Sequence, residues 1–177
     1  MSRFVAFLRG INVGGHIVKK EQLQAAFAAS GFLNVSTFKQ SGNVIFEADL
    51  AAGEVAGKVQ GSLRVELGFD VAVFVRTIPQ LKAIIAMDPF KGQEQGDTSF
   101  LVTFLEEAAP ASFTSKLPVT IPKSTAQVIC ACGTEVFSVT HGGGEGALPN
   151  PFVESKLKVK ATTRNMNVIR ELIEKFG

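Results

Sequence analysis

A chain of 177 residues, 46% hydrophobic and 19% charged, has enough apolar surface to bury a core without disulfides or a metal, which excludes a disordered chain. Eighteen Lys and Arg against sixteen Asp and Glu leave a formal charge of +2, too small a surplus for a general polyanion-binding surface, so nucleic acid binding is disfavoured. No apolar run approaches the roughly 20 residues of a membrane-spanning helix, and Phe4 to Leu8, between Arg3 and Arg9, is too brief for a signal-peptide core.

In chain order, FVAFLR at 4–9 reads as a strand, and the loop RGINVGG at 9–15 leads into a helix within KKEQLQAAFAASG. Leu23, Ala26, Phe27 and Ser30 share a face of that helix, and Gly31 ends it. Two strands, Val35 to Lys39 and Val44 to Ala48, flank the turn QSGN at 40–43 as a hairpin. A helix from about Glu54 to Leu67 carries Val55, Val59, Leu63 and Leu67 on one face, with Gly57 and Gly61 lowering its propensity and Gly68 ending it. VAVFVR at 71–76 is the next strand, which completes the βαββαβ order of a ferredoxin-like lobe.

Thr77 and Pro79 open a connecting helix bearing Leu81, Ile84 and Ile85, and Asp88-Pro89 with KGQEQGD sets a boundary near residue 90. Beyond it, SFLVTFLE, a short helix near Pro110 to Lys116, AQVICA and EVFSVT repeat a β-α-β-β order without repeating the sequence. The loop HGGGEGALPNP at 141–151 precedes a helical stretch, Phe152 to Leu157, and a final helix from Thr163 to Phe176 whose stripe is Met166, Ile169, Leu172, Ile173 and Phe176. The expected fold class is therefore α+β: a ferredoxin-like lobe over residues 1–90, then a second α+β lobe with a C-terminal helix over 91–177. Several strands are apolar on alternate and intervening positions, so both sheet faces are expected to be covered at least in part.

FLRGINVGG near the start, TFKQSGNVIFE at 37–47, DPF at 88–90 and ATTRN at 161–165 together resemble the domain of unknown function 1697 family, nearly end to end. The resemblance implies a two-lobed α+β bacterial protein and points to no particular activity. It departs at Phe38 and Met166, where the family often carries other aromatics.

The glycines of RGINVGG allow a tight turn that aims backbone N–H groups at an anion beside a helix N-terminus. His16-Ile17 stands where a P-loop needs Lys-Ser/Thr, which disfavours nucleotide hydrolysis of that kind. The structural alternative is a tight connection in which Asn12 bonds its own loop. In a βαββαβ lobe this loop and QSGN are expected at opposite ends of their strands, so their convergence is an open question. TTRN at 162–165 is read as the start of the last helix, where Arg164 opposes the helix dipole and an anion would relieve the conflict, with Lys158 and Lys160 adding charge. Alternatively Arg164 reaches a carboxylate.

HGGG at 141–144 lacks a partnering G-x-S-x-G elbow, and Glu106-Glu107 reads as a solvated strand exit. Cys130 and Cys132, with only His16 and His141 as other soft ligands, are expected in the core and suit a reducing, cytoplasmic setting. The leading expectation is a small-anion or nucleotide-binding protein with its ligand between the lobes and no cofactor or metal. The candidate site is Arg9, Gly10, Asn12, Gly14, Gly15, Gln40, Ser41, Asn43, Thr163, Arg164 and Asn165. An enzyme acting on a phosphorylated or carboxylated metabolite and a protein or nucleic acid interaction module are the alternatives.

Overall fold

The computed structural model describes residues 1–12, 17–39, 42–93, 96–142 and 148–177. Its contacts divide the chain into two compact units, Met1–Lys82 with Lys175–Gly177, and Ala83–Glu174. The sequence places a boundary near residue 90, whereas this division falls inside a helix.

The first unit runs β1 (Ser2–Arg9), α1 (Lys20–Ala29), β2 (Leu33–Phe38), β3 (Asn43–Ala48), α2 (Ala52–Leu67) and β4 (Ala72–Thr77), followed by α3 (Ile78–Ala86). Its sheet is antiparallel in the order β2-β3-β1-β4, the split βαβ arrangement. Alternation on β1 sends Phe4, Ala6 and Leu8 into one core with Leu23, Ala26 and Phe27 of α1 and Val55, Val59 and Leu63 of α2. Val5 and Phe7, on the other face of β1, are equally buried, which is why the strand reads as an unbroken apolar run. Gly57 and Gly61 lie on the exposed side of α2, so they lower its propensity without opening the core. Phe46 anchors this layer against Phe4, Phe27 and Phe32, at centroid distances of 5.7, 5.1 and 4.7 Å.

The second unit contains β5 (Thr98–Leu105), α4 (Ala111–Thr114), β6 (Val119–Thr120), β7 (Ala126–Cys132), β8 (Glu135–His141), α5 (Asn150–Leu157), β9 (Ala161–Asn165) and all but the last two residues of α6 (Met166–Phe176). Its antiparallel sheet is ordered β6-β7-β8-β5-β9. With β6 set aside, β7-β8-β5-β9 has the connectivity of β2-β3-β1-β4, so the second unit is a complete βαββαβ and not only β-α-β-β.

The repeat holds at the level of register. Phe7 faces Asn43 and Phe74, and Phe104 faces Glu135 and Thr162. Leu8 donates its N–H to the Gly42 carbonyl at 2.8 Å, and Leu105 does the same to Thr134 at 2.8 Å. Each second strand has a register shift, between Leu33 and Ser36 and between Val128 and Cys130. Arg76 faces Val5, and Arg164 faces Val102, the corresponding position. Both arginines are buried, and each donates through Nη1 to the preceding carbonyl, at 2.8 and 2.9 Å.

Two sequence expectations need correction here. Thr163 to Asn165 are strand β9, not helix: two threonines and an arginine pair with Thr103, Val102 and Leu101 of β5, and a five-residue strand is too short to display its own period beside a strong helical stripe. The helix begins at Met166 and is capped by Asn165, whose Oδ1 accepts from the Asn167 N–H at 2.9 Å. Cys130 is only half-buried and Cys132 is exposed, because β7 lies toward the rim of its sheet.

Candidate functional site

β1 and β3 are antiparallel inner strands, so the end of β1 lies beside the beginning of β3, and the loop after β1 meets the hairpin turn at one end of the sheet. This corrects the expectation that the two lie at opposite ends. Two contacts hold them together: the Leu8–Gly42 hydrogen bond, and the packing of Ile11 on Gly42. Gly42 has φ +71°, and a Cβ there would stand 2.7 Å from Ile11 Cδ1, so only glycine fits.

Around this junction lies a cleft of about 710 Å³ whose described walls are Asn12, Ile17, Val18, Lys20, Leu23, Thr37, Lys39, Gly42 and Asn43. Asn12 takes a left-handed conformation, φ 57°, and its Oδ1 accepts from the Val18 N–H at 2.9 Å, closing its own loop. Asn43 is buried, and its Nδ2 donates to the Phe38 carbonyl at 3.0 Å across the hairpin. Lys39 reaches the site just beyond β2, its Nζ 5.6 Å from the centre of the Phe38 ring. Lys20 is the first residue of α1, with Lys19 before it, so two cations oppose the positive end of the α1 dipole, partly offset by Glu21. No acidic residue lines the cleft among the described residues.

Asn12 and Asn43 are thus brought together. Arg9 is half-buried at the end of β1 opposite Ala72, and Gly10 follows with φ 79°; neither is among the described walls. Gly14, Gly15, Gln40 and Ser41 lie outside the described residues, as does His16.

Thr163, Arg164 and Asn165 belong to the second unit and are engaged in its structure. The Thr163 hydroxyl bonds Thr103 Oγ1 at 2.7 Å and donates to Asn150 Oδ1. Arg164 Nη1 donates to Thr162 Oγ1 at 2.8 Å, and burial pushes its guanidinium down to about 10. Lys158 ends α5 with φ 59°, and Lys158 and Lys160 are both exposed while Arg164 is buried, so the three do not form one basic patch at a helix start.

The described wall residues that sequence reasoning missed are Lys20 and Lys39, the polar or small Thr37 and Gly42, and the apolar Ile17, Val18 and Leu23. A signal was present: Lys19-Lys20 before an amphipathic run is the same breach of the dipole rule that the sequence assigned to Arg164.

Elsewhere among the described residues, no group of three His, Cys, Asp or Glu could hold a metal. The Cys130 thiol is pushed up by burial and, less, by Cys132. Glu106 is exposed, its Oε2 accepting from the Lys160 N–H at 3.3 Å, and Thr98 Oγ1 lies 3.1 Å from His141 Nδ1. Gly143 and Gly144 of the HGGG run lie outside the described residues. No described helix is long and apolar enough to cross a membrane.

The backbone is similar to that of a conserved bacterial protein, SP0830 from Streptococcus pneumoniae, with a TM-score of 0.72 over 98% of this chain and 97% of that one, at 17% identity. At that identity the likeness shows the fold. No curated protein matches the sequence. The family model described as protein of unknown function (DUF1697) matches residues 1–136, a span that holds the RGINVGG, QSGN and DPF motifs and stops short of ATTRN. The chain therefore belongs to the DUF1697 family, and the cleft between the loop after β1 and the β2–β3 turn lies inside the matched span.

Proposed function

We propose that this protein binds a small organic anion, of phosphate or carboxylate type, in the cleft of its first unit. The observation that carries the reading is the convergence of two lysines and two asparagines on a concave surface that no described acidic residue lines. Lys20 and Lys39 supply charge, the first turn of α1 supplies N–H groups, and Asn12 and Asn43 supply amides held by their own backbone bonds. Val18 and Leu23 form an apolar wall for the body of the ligand, and about 710 Å³ lies in the range of small-molecule and cofactor sites. A bound anion also relieves the unfavourable placement of Lys19 and Lys20, worth roughly 0.3–1 kcal/mol for each charge near a helix end. The free thiols Cys130 and Cys132 suit a reducing cytoplasm.

The test is thermal unfolding of the whole chain with inorganic phosphate, AMP, ADP and citrate, each titrated by calorimetry where it stabilises. Stabilisation by at least one of these anions, lost in Lys20→Ala/Lys39→Ala, is expected. No stabilisation by any of them, or equal stabilisation of the double variant, removes the reading.

A further inference from the structure

The two repeats differ most in the helices laid on their sheets. In the first unit α1 and α2, of 10 and 16 residues, pack against each other and cover the sheet face. In the second, their counterparts α4 and α5 have 4 and 8 residues. Such short helices cannot close the same layer, and a cleft of about 310 Å³ lies where they approach.

Its walls are of two kinds. Phe113 and Leu117 on the α4 side, and Phe152 and Leu157 on α5, belong to or pack against the apolar core of the unit. Lys116 and Lys156, both exposed, stand among them on the two sides, and no described wall residue is Asp or Glu. Lys156 Nζ lies 5.6 Å from the centre of the Phe152 ring, which keeps an ammonium over the apolar wall. A neutral apolar ligand would leave both cations unused, and a small inorganic anion would leave the aromatic and leucine surface wet.

We propose that this second cleft binds an amphipathic organic anion, one carboxylate on a compact apolar body of roughly ten water-sized groups, at about 30 Å³ each. The apolar body lies against Phe113, Leu117, Phe152 and Leu157, and the carboxylate lies between Lys116 and Lys156. Among the described residues this site shares none with the cleft of the first unit, so either proposal can fail without the other.

The experiment uses the isotope-labelled full chain and decanoate below its micelle concentration, followed by amide chemical shifts. Decanol and acetate serve as probes of the chain without the charge and of the charge without the chain. Decanoate is expected to shift amides in 111–119 and 152–157, and to bind at least fivefold more tightly than decanol or acetate. Lys116→Gln/Lys156→Gln, two surface changes whose folding the same spectra report, is expected to weaken decanoate at least fivefold and leave decanol unchanged. Shifts confined to other segments, equal affinity for decanol, or unchanged decanoate affinity in the double variant would overturn the proposal.

Discussion

The two units share one strand order and one register, yet their interiors are built on different chemistry. The position held by Phe46 in the first unit, at the centre of an aromatic cluster with Phe4, Phe27 and Phe32, is held in the second by Ser138. Ser138 Oγ is buried with no hydrogen-bond partner among the described residues. Ala6 corresponds to Thr103 and Val75 to Thr163, whose hydroxyls bond each other and Asn150. The same topology therefore tolerates either an apolar layer or a hydroxyl band beneath the helices, provided that most of the polar atoms find partners.

The matched positions make this comparison breakable. The largest contrast is expected at the Phe46 and Ser138 pair: Phe46→Ala should cost about 3–5 kcal/mol in denaturant unfolding, whereas Ser138→Ala should be neutral or stabilising by up to about 1 kcal/mol. Equal losses would show that Ser138 supports the second unit as Phe46 supports the first. Next come the paired arginines. Arg76→Ala and Arg164→Ala should each cost about 2–3 kcal/mol, because each removes a buried, hydrogen-bonded guanidinium at the same register position. Widely unequal values would separate their roles.

A smaller contrast is expected where each first strand bonds the turn beside it. Gly42→Ala should cost about 1–2 kcal/mol through its positive φ and the contact with Ile11, and it should weaken anion binding in the first cleft. Thr134→Ala, at the corresponding acceptor, should change stability by less than about 0.5 kcal/mol.

The smallest effect concerns acid stability. Hydrogen bonds from Arg3 and then Asn34 hold the Glu47 carboxyl below its ordinary value of 4.5. A carboxyl lowered by folding adds stability above its unfolded pKa and loses it as pH falls through the folded one. Glu47→Gln should therefore lower stability slightly near neutrality and flatten the profile below about pH 4.5, where wild type and variant converge; an unaltered acid limb in the variant would remove Glu47 as its source.

Much of the fold was legible in the chain itself. The stripes Leu23, Ala26, Phe27 and Val55, Val59, Leu63, the stops at Gly31 and Gly68, and the opening pair Thr77 and Pro79 announce helices through local spacing. β9 was not legible, because its five residues abut a helix and its strand character comes from pairing with β5, more than fifty residues away. For the candidate site, the glycine loop and the hairpin turn were recognisable as irregular segments. Lys20 was marked only by the charge that it and Lys19 place at the start of α1, and Lys39 not at all, since a surface lysine carries no distinguishing pattern until a cleft forms around it.

Periodicity, composition and turn chemistry thus determined by themselves the element sequence of the first unit, the α+β class and the likeness to a family. Tertiary structure alone decided that the loop after β1 and the turn before β3 share one end of the sheet, that Arg164 belongs to a strand and matches Arg76, and that β9 completes in the second unit the repeat of which the sequence showed four elements. The reason is physical: helices and turns are written in contacts between residues a few positions apart, whereas strand partners, register and clefts depend on contacts distant in the chain, which no local window contains.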